Sequence, residues 1–120
     1  MPDVLSNYAG NAALNLLLHG TTYLAIHLSD PGPTGLLASE LAGAGYIRQV
    51  MTYSSPSNKT AVSTRAFIFP ALPACTALYL AGWTGLAGGD IIWAKLLSPA
   101  IVITESGQLR GARGDIAVSL

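Results

Sequence analysis

The sequence predicts a mainly β domain, a β-sandwich or jelly-roll-like arrangement of short strands with an N-terminal α-helix packed on it. Apolar residues recur at helical spacing only at the start of the chain, and the rest consists of short runs rich in β-branched and aromatic residues. Glycines and prolines, of which the chain has 13 and 7, separate those runs as turn residues do. No alternation of strand and helix patterns is visible, so a parallel α/β sheet is not expected.

The helix is predicted over residues 3–19. Asp3 is a suitable N-cap, because its carboxylate can accept hydrogen bonds from the free amides of the first turn. An apolar stripe at three- and four-residue spacing is expected to face the β domain. The members of this stripe are Val4, Leu5, Tyr8, Ala9, Ala12, Ala13, Leu16 and Leu17. His19 and Gly20 are expected to end the helix, since glycine readily adopts a positive φ.

The β domain is predicted to occupy residues 21–120. Its first strand covers residues 21–29, with Leu24 and Ile26 on an apolar face and His27 on the more polar face. Asp30-Pro31-Gly32-Pro33 ends this strand, and residues 30–44 hold too many chain breaks for another strand. That segment can accommodate a short turn of helix around residues 36–41.

The remaining strands are predicted in six short runs, divided by a loop at residues 54–59, a turn at residues 85–90 and prolines 70, 73 and 99. The runs are residues 46–53, 60–70, 76–83, 91–97, 101–104 and 116–120. The glycine-rich turn is typical of a hairpin, so Trp83 and Trp93 could pair across it. Packing of both indoles in the core is the simpler expectation, since aromatic side chains dominate core energetics.

Length and composition favour a single domain spanning residues 1–120 that associates with other subunits. Hydrophobic residues make up 51% of the chain, charged residues make up 10%, and the formal net charge is zero. So few charges indicate a surface that is covered by partners, although a compact monomer with a plain surface is the alternative. A nucleic-acid partner is not expected, because the basic residues are scattered. They are Arg48, Lys59, Arg65, Lys95, Arg110 and Arg113.

Membrane insertion and secretion are not expected either. The longest apolar run is far shorter than the about 20 residues that cross a bilayer, and Met1-Pro2-Asp3 has no basic segment of a signal peptide. Assembly in a cytoplasm is therefore expected. The single cysteine, Cys75, excludes an intrachain disulfide and is expected to be a buried, unreactive thiol.

No catalytic, cofactor-binding or metal-binding residues are predicted, and the protein is not expected to be an enzyme. His19 and His27 are too few for a zinc site, and the turn at residues 85–90 lacks the Lys-Ser/Thr of a phosphate loop. No Gly-x-Ser-x-Gly elbow is present. The acidic residues fall mostly at turns or caps, where carboxylates serve structure. They are Asp3, Asp30, Glu40, Asp90, Glu105 and Asp115.

One segment, Gly43-Ala44-Gly45-Tyr46-Ile47-Arg48, combines features of a tight structural element. Two glycines allow a close approach of the backbone. Tyr46 is expected to pack inward, and Arg48 is expected to pair with Glu40 or a neighbouring acid.

Motifs distributed over nearly the whole chain resemble those of a family of short bacteriophage virion proteins, commonly labelled tail fibre proteins and sometimes placed on the head. Each motif is weak, but their order and spacing together are fairly specific. They are His19-Gly20, the Ser29-Asp30-Pro31-Gly32 strand end, Glu40 to Arg48, Phe69-Pro70, Gly88 to Trp93, Ser98-Pro99 and Gly114 to Leu120. Residues 98–113 match this pattern only loosely.

The resemblance implies a non-enzymatic structural protein of a tailed-phage virion, assembled in the host cytoplasm on capsid or tail proteins. The first hypothesis is a capsid decoration (cement) protein, most simply a homotrimer on the head, because low charge and many small residues suit a subunit that tiles a surface. The second hypothesis is a tail fibre or tail-tip protein that contacts the host. A small hydrolase or lectin-like module is the third and least favoured hypothesis.

Overall fold

The structure, a computed structural model, describes residues 6–43 and 45–120, and within them it confirms a mainly β fold with one α-helix near the N-terminus. The elements are α1 (Asn7–Leu18), β1 (Thr22–His27), a 3-10 turn (Leu37–Ser39), β2 (Gln49–Met51), β3 (Thr60–Val62), β4 (Phe67–Leu72), β5 (Cys75–Trp83), β6 (Ile91–Ile103), β7 (Gly107–Gly111) and β8 (Ala117–Ser119).

The strands form three antiparallel sheets that pack together. Four of them make the largest sheet in the order β2-β1-β5-β6, so the 13-residue strand β6 lies at its edge. The other two sheets are the pairs β3-β8 and β4-β7. The main core lies between the large sheet and the two pairs, where Leu24, Ile26 and Leu80 of the large sheet share one cluster with Phe69 and Leu109.

The opposite face of the large sheet is also buried, which corrects the prediction that His27 lies on a more polar face. His27 is fully buried, and it lies with Ala25, Ala81 and Trp83 in a second layer. Side chains of the segment 28–48 reach this layer, as the contacts of His27 with Ser39 and of Trp83 with Arg48 show. The loop that follows β1 therefore acts as a cover over the sheet.

Helix α1 begins later than predicted and buries a different face. Its N-cap is Ser6, whose hydroxyl accepts the Ala9 amide at 3.1 Å, whereas the predicted cap Asp3 lies outside the described residues. At its other end Gly20 has the expected positive φ. Gly10, Leu14 and Leu18 are buried, and the side chains of the latter two pack against Ala61 of β3. The predicted stripe was wrong, since Tyr8 and Leu16 are 85% and 82% exposed.

The predicted strand at residues 60–70 is two strands in two sheets. Residues Thr60–Val62 pair with β8, and residues Phe67–Leu72 pair with β7 and continue through Pro70. Between them, Ser63 exchanges backbone hydrogen bonds with Gly114 and Ile116, so the chain passes from one partner strand to the other. The break predicted at Pro99 is an interruption of pairing within one strand. Strand β6 continues through Pro99, but Tyr79 pairs with Leu96 and Ala77 with Ile101, so residues 97–100 lie opposite Leu78 alone.

Trp83 and Trp93 do not pair across the hairpin that joins β5 to β6. Gly82 is opposite Trp93, and a Cβ on Gly82 would lie only 2.2 Å from Trp93 Nε1, so the indole covers this glycine directly. Trp83 is the next residue along the strand and therefore faces the other side of the sheet. Both indoles pack against buried apolar side chains, as expected, but they lie in different layers.

Candidate functional site

The most elaborate polar arrangement of the described residues surrounds Arg48, and we name it the Arg48 clamp. It consists of Arg48, Glu40, Tyr46 and the backbone carbonyls of Gly85 and Gly88. The predicted pairing of Arg48 with Glu40 is confirmed: Arg48 Nη2 donates to Glu40 Oε1 and Nε donates to Oε2, each at 2.8 Å. This two-point geometry is the strongest form of the arginine–carboxylate pair.

The remaining donors of Arg48 hold the glycine-rich hairpin turn. Nη1 donates to the carbonyl of Gly85 at 2.7 Å and to that of Gly88 at 2.8 Å. The guanidinium carbon also lies 4.3 Å from the centroid of the Trp83 ring, which is a favourable cation–π distance. Since the Arg48 side chain is only 3% exposed, these contacts replace the water that the charge has lost.

Tyr46 completes the clamp from the side of the core. Its hydroxyl donates to Glu40 Oε2 and accepts the backbone amide of Ile26 on β1. Burial and the hydrogen bond to Glu40 raise the pKa of Tyr46 well above its ordinary value. Burial alone would raise the pKa of Glu40, but hydrogen bonds from Arg48 and Tyr46 outweigh it and lower that pKa. The inward packing predicted for Tyr46 is confirmed.

A second chain of hydrogen bonds runs beside the clamp through His27. The Trp83 indole N–H donates to His27 Nε2 at 3.1 Å, so this nitrogen carries no proton. His27 Nδ1 then holds the proton and donates to Ser39 Oγ at 2.6 Å, and Ser39 donates to the carbonyl of Leu36. The ring is therefore fixed as the neutral Nδ1–H tautomer. Burial lowers the pKa of His27, and the charge of Arg48 lowers it further against the opposing charge of Glu40.

The outer side of the clamp is apolar. A shallow cleft of about 270 Å³ lies above it and is lined by Leu37, Ile47 and Leu86 with Ala87. Those three large side chains are about half exposed. The charges thus lie beneath an apolar rim, where they hold three segments of chain together. Because each clamp side chain is engaged in such contacts, the clamp is suited to structural support.

Other residues weighed from the sequence are separate from the clamp. His19 is exposed beside the end of α1, and Cys75 is half-buried, with burial raising the pKa of its thiol. In the described part of the chain, no three histidine, cysteine or acidic side chains come close enough to hold a metal ion. No helix there is long and apolar enough to cross a bilayer.

Sequence reasoning missed the His27 chain and the contacts of Arg48 with the turn. The segment that covers β1 carries no regular pattern, so nothing in the sequence indicated that His27 would be buried. The carbonyls of Gly85 and Gly88 cannot be recognised as partners from residue types. The glycine content of the turn is the one available signal, since glycines allow the backbone to approach a side chain closely.

The chain was also compared with known protein families and with curated proteins. A family model described as Gp80, podophage GP4 fiber I protein gp80, matches residues 4–119. Among curated proteins, none matches.

We expect Arg48→Met to destabilise the fold by about 3 kcal/mol, because Glu40 would remain buried without its partner and two carbonyls would lose their donor. Methionine retains an apolar side chain of similar length beside Trp83, so the loss of stability reports mainly the removed charge and its hydrogen bonds. The measurement is urea unfolding, with Arg113→Met at an exposed position as the matched control. An Arg48→Met protein as stable as the control would contradict the central role of the clamp.

Stability should fall on acidification through the ordinary histidine pKa of about 6.5, because the unfolded chain then binds a proton that folded His27 resists. The contribution of neutral His27 to the free energy of unfolding is complete above that pKa. Below it, the free energy of unfolding falls by at most about 1.4 kcal/mol per pH unit. Glu40 has a lowered pKa and adds a loss only below its usual value of 4.5.

Thermal unfolding across this pH range should therefore show a slope that His27→Gln abolishes. His19→Gln, which changes an exposed histidine, should leave the slope as it is. An equal slope in the His27→Gln protein would show that another group causes the acid sensitivity.

Proposed function

The chain belongs to the Gp80 family of podophage fibre proteins, and we propose on this basis that it is a structural subunit of the phage tail fibre. The single observation that carries the proposal is the family match, which extends over residues 4–119 and so over nearly the whole chain. Membership of this family makes the protein a bacteriophage virion protein. We propose as well that residues 1–120 form one structural domain.

A capsid decoration protein is the second candidate. The sequence alone favoured it, and the low charge and apolar exposed side chains suit a subunit that covers a large surface. The description of the family as fibre proteins fits a position on the tail at least as well. We therefore place the tail fibre first and keep the head as the alternative.

The proposed role involves binding to other virion proteins without catalysis. The Arg48 clamp supports this assignment, because its charged groups bond to one another and to the backbone. Its position links the cover segment to the hairpin turn and to β1. Such a site stabilises a surface shape that partners can recognise.

We further propose that the exposed face of α1 is a contact between copies of this chain. No residue of Asn7–Leu18 is charged, and its exposed side carries the large side chains of Tyr8, Leu16 and Leu17. An exposed apolar helix face of this kind is normally covered. Ala9, Ala12 and Leu16 follow one another at spacings of three and four, as in helices that pack side by side.

A second copy is the occupant that this face suits. It offers an equally uncharged surface, and the two alanines allow the helices to approach closely. A 12-residue helix is about 18 Å long, so its exposed face alone buries less than the about 800 Å² per partner of a stable interface. Other exposed apolar residues should therefore contribute to the same oligomer, for which three copies are expected.

Copy number in purified virions should distinguish the tail from the head. For a tail fibre we expect few copies of this chain relative to the major capsid protein, measured by quantitative mass spectrometry. A ratio near one-to-one would support decoration of the head and overturn the tail assignment. Absence from purified particles would contradict a structural role altogether.

Leu16→Glu should weaken self-association without unfolding the protein, because it places a charge on the exposed face of α1. Sedimentation analysis over a range of concentrations would measure the effect. Asn15→Glu adds the same charge at the neighbouring exposed position on another side of the helix and serves as the control. A wild-type chain that remains monomeric throughout, or equal effects of both changes, would contradict this interface.

A further inference from the structure

The fold brings Arg65 near Arg110 and Arg113, a pair from which it is distant in the sequence. Arg65 lies in the crossover between β3 and β4, and Arg110 lies on β7 opposite Ile68. Arg113 follows β7, where the backbone of its neighbour Gly114 bonds to Ser63. The sequence indicated scattered basic residues. The pairing of Phe67 with Gly111 and the hydrogen bond of Gly114 to Ser63 place the backbone of the β3–β4 crossover beside that of residues 111–114.

These three guanidinium groups have no acidic partner within the described residues. The ion pair found there is that of Arg48 with Glu40, on the other side of the large sheet. Asp115 is the nearest acid in sequence, and its Oδ2 is engaged by the Ala112 amide at 2.7 Å. All three arginines are exposed. On a chain with a formal net charge of zero, this end therefore carries a local excess of positive charge.

A shallow, open cleft lies beside Arg110. Its volume is about 500 Å³, and its walls include Arg110, Asp115, Ile68 and the Phe67 ring. Gly111 is essential to this shape, because a Cβ there would lie 2.5 Å from Phe67 Cε1 and 3.3 Å from Asp115 Oδ2. The volume falls within the range of roughly 300–1,000 Å³ that is typical of small-molecule sites.

We propose that this cleft binds a saccharide that carries a carboxylate. Arg110 can receive the carboxylate through a charge-assisted pair of hydrogen bonds. The oxygen of Asp115 that the Ala112 amide leaves free can accept hydrogen bonds from sugar hydroxyls, and the apolar walls suit the C–H face of a ring. Arg65 and Arg113 do not line the cleft, but each is next in sequence to a residue that does, and their charges add to the positive potential that attracts the ligand.

A saccharide fits the cleft better than an acidic protein segment does. Asp115 repels the carboxylates of both ligands, but a sugar ring carries hydroxyl donors for Asp115 beside its own carboxylate, whereas the side chains of an acidic segment offer only acceptors. A sugar uses the donor, the acceptor and the apolar walls together. That the ligand is a sugar of the host surface rests on the proposed fibre function. Whether the cleft binds an acidic saccharide does not depend on that function.

The test is calorimetric titration of the full chain with three acidic oligosaccharides, namely a hyaluronan tetrasaccharide, tetragalacturonate and tetrameric sialic acid. We expect at least one of them to bind, binding to weaken as NaCl is added, and neutral chitotetraose not to bind. Arg110→Gln should weaken binding by about tenfold or more. Arg65→Gln and Arg113→Gln should weaken it less, and Lys95→Gln, at an exposed position on β6, should leave it unchanged.

Failure of all three oligosaccharides to bind would overturn the proposal. Equal binding of poly-L-glutamate, with the same loss in Arg110→Gln, would replace it with a site for acidic protein segments. Unchanged binding in Arg110→Gln would place the ligand elsewhere. Because Arg110 is exposed, we expect Arg110→Gln to unfold at the same temperature as the wild type, so that any change in binding reports the site and not the fold. The copy number in virions tests the fibre function independently of every one of these outcomes.

Discussion

The buried pair of Arg48 and Glu40 is the interaction on which the rest of the structure depends. A guanidinium that is removed from water must have its donors matched, and here four of its hydrogen bonds reach the Glu40 carboxylate and two turn carbonyls. The carboxylate and the carbonyls belong to two different stretches of chain. The position of the cover segment, the conformation of the hairpin turn and the burial of Trp83 all follow from satisfying one charge.

The clamp also explains how a chain with so few charged residues distributes them. The charges of Arg48 and Glu40 lie inside the fold, beneath the apolar rim formed by Leu37, Ile47 and Leu86. The three arginines near β7 are left at the opposite side of the large sheet, without acidic partners in the part of the chain that the structure describes. The described residues therefore present exposed apolar side chains and, separately, three exposed arginines.

The fold class, the order of most strands and the pair of Arg48 with Glu40 could be predicted, because alternating apolar runs, turn residues and nearby opposite charges are local signals. The buried face of α1 could not, since Leu14 and Leu16 are alike in sequence and only the position of β3 distinguishes them. Strand β7 was missed because glycines bound it, one of them required by contact with Phe67. The arginine cluster depends on the register between strands, which composition does not specify.

The edge position of β6 has a consequence for how such subunits can be crowded together. An edge strand of 13 residues exposes unpaired backbone groups, and these can join strands of neighbouring molecules into uncontrolled aggregates. Pro99 removes one amide from the middle of that edge, and the charge of Lys95 opposes the approach of an identical strand. Copies can then be held at high local density through side-chain contacts while their sheets stay separate.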